Sequence, residues 1–201
     1  KLWALQQGMD YAVEAFPETE FFLLTDADIK HSPFNVMQLI VKASTDQLDL
    51  VSLMVKLNCK SFWERLLIPA FIFFFQLIYP FNWVNDPERK TAAAAGGCML
   101  VRRKALEGIG GVSSIKGYII DDCALGRKLK KRGLIWLGLS ETTVSLRSYD
   151  RLSEIWDMVS RTAYAQLNFS VINLFGTIIG MLITYVMPLS LIVLGVIDGQ
   201  K

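Results

Sequence analysis

Residues 21–28 read FFLLTDAD. Five uncharged residues run straight into two carboxylates that flank one small residue. A continuous apolar run of this length predicts a buried strand of a parallel sheet, covered on both faces. Asp26 and Asp28 then stand at its carboxyl end, the edge where open α/β sheets bind ligands. Upstream, Leu2, Leu5, Met9, Ala12, Val13 and Phe16 recur at helical spacing, and Pro17–Glu20 breaks that helix. Downstream, Pro33 starts a helix that runs to about Ala43, and LDLVSLMVKL (48–57) is a second strand. TAAAAGG leads into a short strand over Cys98–Arg102, followed by a short helix over 105–111. A flexible loop over 112–117 is expected, then a helix over 122–132, acidic at its start and basic at its end as the helix dipole prefers. Two strands, 134–139 and 142–146, and an amphipathic helix over 150–168 complete the order. Strands alternating with helices predict an α/β layer architecture.

The 201 residues are 52% hydrophobic with a mean hydropathy of +0.35, high for a soluble chain. Only 20% are charged, which excludes a disordered polyelectrolyte. A net charge of +2 speaks against a nucleic-acid partner held by bulk electrostatics. Three scattered cysteines, Cys59, Cys98 and Cys123, make neither a disulfide framework nor a zinc site. The excess hydrophobicity lies in two places. Between Arg161 and Asp198 there is no charge, and VINLFGTIIGMLITYVMPLSLIVLGVI (171–197) exceeds the ~20 apolar residues needed to span a bilayer. Its Gly176 and Gly180 have the spacing that lets two such helices pack into a homo-oligomer. The second stretch, LLIPAFIFFFQLIYPFNWVN (66–85), holds Pro69 and Pro80 and ends in aromatics, which suits an interfacial helix better than a span.

Several residues could carry chemistry. A carboxylate pair such as Asp26 and Asp28 offers oxygen ligands to Mg²⁺ or Mn²⁺, although a solvated turn explains an isolated DxD equally well. His31 could join a metal or a phosphate, and is otherwise a surface histidine. Asp121–Asp122 opens a helix; one aspartate suffices as a cap, and the other could take a proton from a hydroxyl. Gly96–Gly97–Cys98 brings the backbone close to a substrate or a neighbouring strand. The basic run Arg127–Arg132 is either a solvated face or a contact to anionic headgroups. Arg161, beside Trp156 and Tyr164, is either an interfacial anchor or a cation for a leaving diphosphate.

Taken in order, these stretches resemble a family 2 inverting glycosyltransferase of the GT-A fold. The nearest subgroup is the membrane-bound hopanoid-biosynthesis-associated enzymes, related to ceramide glucosyltransferase. LLTDADIKHSP, AAAAGGCMLVRR, IDDCALGRKLKKRG and SLRSYDRLSEIWDMVSRTAYAQL carry the likeness, with KLWALQQGMDYA and IPAFIFFFQLIYPFNWVNDP beside them. The resemblance implies that Asp26 and Asp28 hold the metal and the donor diphosphate. It implies that Asp121–Asp122 is the family's acidic ED-type catalytic pair with Asp122 as the base, and that Gly96, Gly97 and Cys98 line the donor or acceptor pocket. Arg161 would contact the diphosphate, although Met158 and Thr162 depart from the family's Q/RxxRW pattern there. That departure speaks against a processive polysaccharide synthase. A non-catalytic membrane protein would leave the two acidic sites unexplained.

The resemblance further implies a nucleotide-sugar donor of the UDP type, a lipid acceptor and a bacterial inner membrane. Arg147, Arg151 and Arg161 ahead of the span put the catalytic face in the cytoplasm by the positive-inside rule. Lys1 resembles the lysine that follows a glycine in the family's GK segment, and in that family the base-binding strands precede this position. The expectation is therefore a C-terminal fragment: residues 1–149 a partial GT-A sheet with a membrane-interface segment at 62–84, residues 150–170 a juxtamembrane helix, and residues 171–197 a transmembrane helix.

Overall fold

The computed structural model describes residues 2–167 and 169–198, with side chains through Ile192. Lys1 and the helix end expected at Asn168 lie outside the described residues. Two units are distinguished, residues 1–156 and 157–201.

In the first unit, α1 (Leu2–Ala15) precedes β1 (Phe21–Thr25) and a two-residue β2 (Ile29–Lys30). Then come α2 (Asn35–Thr45), β3 (Leu48–Lys56), α3 (Phe62–Ile78) and α4 (Phe81–Asn85). β4 (Cys98–Arg102), α5 (Arg103–Gly108), a 3₁₀ turn (Val112–Ile115), α6 (Asp121–Lys130) and β5 (Leu134–Ser145) follow, and α7 (Leu152–Gln166) begins at the unit's end.

The sheet has the order β1-β4-β3-β5-β2. It is mixed: β3 and β5 are parallel, while β1–β4, β3–β4 and β2–β5 are antiparallel. The parallel direction expected for β1 is thus corrected. Its apolar run reports burial on both faces, which the structure confirms. Phe22 and Leu24 join one core cluster, and Phe21 and Leu23 pack against the other. β3 and β4 divide in the same way. Leu50, Met54, Met99 and Val101 face the cluster under α1 and α6, while Val51, Leu53, Val55, Cys98 and Leu100 face α2 through Leu39 and Ala43. Helices covering both faces remove the polar alternation usual in antiparallel strands.

Three other expectations change. Residues 112–117 are not a flexible loop. Val112 and Ile115 are 1% and 3% exposed and stand three apart, the period of the 3₁₀ turn that buries both. The two strands over 134–146 are one continuous β5, whose register against β3 shifts between Met54 and Lys56. That irregularity absorbs Ser140 and Glu141, whose polarity suggests a turn in the sequence. Phe16 is 66% exposed, so the buried face of α1 ends at Val13.

α6 packs closely on the segment that leads to Gly96. A Cβ at Gly126 would stand 3.0 Å from the Ala93 carbonyl carbon and 3.1 Å from its oxygen. Backbone atoms cannot swing aside as a side-chain tip does. Gly126→Val is expected to cost about 1–3 kcal/mol through overpacking, measured by thermal unfolding. Unfolding at the wild-type temperature would show that the Ala93 segment yields.

In the second unit, α7 ends at Gln166, and Ser170 caps α8 (Val171–Met181) by accepting a bond from the Asn173 amide at 3.2 Å. A π turn (Leu182–Val186) joins α8 to α9 (Met187–Asp198). Pro188 explains it: proline has no N–H to give to the turn before it, and its ring crowds the carbonyl four residues back. Among the described residues one helix, Val171–Ile192, is long and apolar enough to cross a membrane. Its 22 residues extend about 33 Å, against a hydrocarbon core of about 30 Å.

Candidate active site

The DAD corner, the glycine loop and the start of α6 meet at one edge of the sheet. The Thr25 hydroxyl donates to the Gly97 carbonyl at 2.9 Å, and the Asp26 amide reaches the same oxygen at 3.4 Å. The Gly96 amide donates to Asp122 Oδ2 at 2.8 Å, and the Cys123 amide donates to Oδ1 at 2.7 Å. Two main-chain donors therefore fix the Asp122 carboxylate. The Asp122 amide in turn donates to Asp121 Oδ1 at 3.1 Å. These bonds answer what the glycines are for. A Cβ at Gly96 would meet Asp122 Oδ2 at 3.1 Å, and one at Gly97 would meet Val55 Cγ2 at 3.1 Å.

The glycine loop is itself anchored from below. Ser52, fully buried in the middle of β3, donates to the Ala95 carbonyl at 3.1 Å and accepts from the Ala95 amide at 2.8 Å. Reciprocal pairing makes the buried hydroxyl affordable.

A small cavity of about 50 Å³ opens at this junction. Asp26, Gly96, Asp121 and Asp122 line its polar side, and Leu24, Val112 and Leu125 its apolar side. Four of the residues singled out in the sequence, from three separate stretches, thus share one concavity. Asp28 is half-buried one turn on, where its carbonyl accepts from the Leu146 amide at 2.7 Å. It is not among the cavity's lining residues. Cys98 points through the sheet to the α2 side and is fully buried. Burial pushes its thiol pKa up, against a smaller lowering by the Asn35 side chain. Only its backbone can border the pocket. Arg161 is exposed on α7 and belongs to the second unit.

His31 is tied in as well. Its Nε2 lies 2.9 Å from the Thr25 hydroxyl and its Nδ1 2.9 Å from Asn35 Nδ2. The Asn35 NH₂ group can only donate, so Nδ1 accepts from it and the neutral ring presents Nε2–H to the Thr25 hydroxyl, whose own proton points to the Gly97 or Asp26 carbonyl at 2.9 or 3.3 Å. His31 is thereby a brace for the DAD corner rather than a bare surface histidine.

Among the described residues, no three His, Cys, Asp or Glu side chains converge as a self-sufficient metal site. The corner offers the carboxylates of Asp26, on the cavity, and of Asp28, outside its lining. That set suits Mg²⁺ or Mn²⁺, which keep waters and take phosphate oxygens from a substrate.

Sequence reasoning missed two residues. Glu64, 0% exposed, accepts from the Lys60 and Ser61 amides at 2.9 and 2.8 Å and from the Tyr149 amide at 2.7 Å. Burial alone would raise its pKa, but these amide bonds outweigh it and hold the carboxyl below its ordinary value. Ser61-x-x-Glu64 is a capping box, a signal readable in the sequence. In the sequence Lys130 is one of a basic run that reads as a solvated face or a headgroup contact. Its ammonium instead donates to the Trp83, Val84 and Thr91 carbonyls at 3.0, 2.6 and 2.8 Å, closing the end of α4.

The model of one protein family, glycosyl transferase family 21, matches residues 10–200 of the chain. No curated protein sequence matches it.

Proposed function

We propose that this chain, which belongs to glycosyl transferase family 21, moves a sugar from a nucleotide-sugar donor to a lipid hydroxyl at the membrane surface with inversion. One observation carries the reading: the cavity that gathers Asp26, Gly96, Asp121 and Asp122 from the end of β1, the glycine loop and the start of α6. A general base beside a diphosphate site is what direct displacement at an anomeric carbon requires.

In this reading Asp122 takes the proton of the acceptor hydroxyl. The hydroxyl oxygen forms the new bond to the anomeric carbon. The bond from that carbon to the diphosphate oxygen breaks on the opposite side, and its electron pair leaves with the diphosphate. Gly96 holds Asp122 in place through its amide. Asp26 and Asp28 would hold Mg²⁺ or Mn²⁺. Such a cation, when bound, supplies positive charge to the departing diphosphate.

A hopanoid- or ceramide-like acceptor rests on the likeness of the stretches quoted above. The exposed apolar side chains of α3, among them Phe62, Leu66, Phe73 and Leu77, support a site at the lipid headgroup level. Arg147, Arg151 and Arg161 ahead of the candidate span support a catalytic face in the cytoplasm, and a bacterial inner membrane rests on the likeness of the stretches quoted above.

The test is transfer from labelled UDP-sugars to a lipid extract by membranes carrying the intact protein. A labelled lipid with inverted linkage is expected. Label recovered only as polymer, or only as free sugar, would overturn the reading. For the metal, Asp28→Ala should reduce Mn²⁺-dependent donor binding at least about tenfold, to the level without metal. Unchanged binding by calorimetry would remove Asp28 from the metal site.

A further inference from the structure

On another side of α6 from the cavity lies a much larger cleft, of about 790 Å³. Among the described residues, seven lysines and arginines line it, against the single carboxylate of Glu88. Three of the seven have structural work. Lys130 closes α4, Arg132 donates to the Gly108 carbonyl, and Arg89 is paired with Asp86 at 3.7 Å. Lys90, Arg127, Lys128 and Lys131 have no hydrogen-bond or ion-pair partner among the described residues. The dipole of α6 favours cations at its end. It does not account for Lys90, which arrives from a different segment. Nor does it favour Arg127 and Lys131 at like-charged i, i+4 spacing. Four unpaired cations around one concavity describe an anion site.

The segment that delivers Lys90, and the apolar part of the lining, indicate which anion. Lys90 ends a tight turn in which Asp86 accepts from the Glu88 amide at 2.9 Å. That turn follows directly from α4. Trp83 of α4 is 43% exposed, and the Arg89 guanidinium lies 5.0 Å from its ring. Leu77 and Ile78, at the end of α3, are exposed just before it. Within the cleft itself Pro87, Ile109 and the exposed Tyr118 stand beside the lysines and arginines, and aromatic and aliphatic surface next to such cations is the pattern of a headgroup layer. The chain also carries a helix long and apolar enough to cross a bilayer.

We propose that this cleft binds the phosphate of an anionic phospholipid through Lys90, Arg127, Lys128 and Lys131. The site is separate from sugar transfer, since none of these residues lines the cavity of Asp26 and Asp122.

The intact protein in mild detergent, titrated with phosphatidylglycerol or phosphatidylcholine and read by native mass spectrometry, tests the proposal. Phosphatidylglycerol should bind at least ~10 times more tightly than phosphatidylcholine. Arg127→Gln/Lys128→Gln/Lys131→Gln should abolish that preference, and Lys90→Gln alone should weaken it severalfold even if the triple variant proves unstable. A control variant, Lys30→Gln/Lys56→Gln/Lys60→Gln, should keep it. Equal binding of the two lipids, or retained preference in both cleft variants, would overturn the proposal. Loss in the control to the same degree would do so too. Inorganic pyrophosphate that binds the cleft as tightly as phosphatidylglycerol and displaces it would assign the site to a soluble anion instead. Loss of sugar transfer in Asp122 variants leaves this binding untouched, so the two readings fail separately.

Discussion

Replacing Asp122 by Asn is expected to lower the rate of sugar transfer by about 10²- to 10⁴-fold, the range for removal of a general base. The substitution keeps the size and removes the proton acceptor. It has a structural cost as well. Asp122 accepts from the Gly96 and Cys123 amides on its two oxygens, and Asn offers one oxygen. One amide therefore meets an NH₂ group, which costs about 1–3 kcal/mol where the site is closed to water. Donor binding separates the two effects. A lost base leaves nucleotide-sugar binding near wild type while transfer collapses. A disordered corner weakens both together.

Gly96→Ala gives a graded version of the same test. Its methyl would press on Asp122 Oδ2 at 3.1 Å, displacing the carboxylate by a few tenths of an ångström. Misplacement of a reacting group should cost roughly tenfold or more in transfer with donor affinity preserved. Wild-type transfer rates in Asp122→Asn would remove this residue from the chemistry.

How far the sequence reveals such a site depends on the range of the interactions. Strand ends at Thr25 and Arg102 are local: each is an apolar run stopped by charge. The pairing of β1 with β4 is not local. Phe21 faces Arg102 and Thr25 faces Cys98 across more than seventy residues, and no pattern inside FFLLT distinguishes parallel from antiparallel neighbours. The acidic pairs stand out in the sequence because carboxylates beside apolar runs are conspicuous. Their meeting in one cavity follows from contacts that no window contains, such as Ser52 clasping Ala95 and Ala93 lying under Gly126. Charge is read poorly from sequence alone. The five cations from Arg127 to Arg132 look uniform and all line one cleft, yet Lys130 and Arg132 donate to carbonyls while Arg127, Lys128 and Lys131 have no such partner among the described residues. Composition fixes how many cations there are, and tertiary structure decides which are already spoken for.

Glu64→Ala is expected to destabilise the protein by about 2–4 kcal/mol, a consequence of orphaning buried amides. Three main-chain donors, at Lys60, Ser61 and Tyr149, converge on its carboxylate. Ser61 strengthens the knot by accepting from the Glu64 amide at 3.2 Å and donating to the Tyr149 carbonyl at 3.0 Å. The carboxylate thus fastens the start of α3 to the residue just ahead of α7, where the chain leaves for its apolar C-terminal helix. Its folded pKa lies below the ordinary 4.5. The unfolded chain therefore binds the proton more readily than the folded one. Glu64's contribution is fully present above the unfolded value, and is lost as pH falls below about 4.5 through the lowered folded value. Wild-type protein should accordingly melt at lower temperature as pH drops through that window, and Glu64→Gln should show a shallower decline from a lower starting point. Hydrogen exchange at the Lys60, Ser61 and Tyr149 amides should quicken in both variants, ahead of exchange in β3. If Glu64→Ala melts at the wild-type temperature with those amides still protected, the link between α3 and the approach to α7 lies elsewhere.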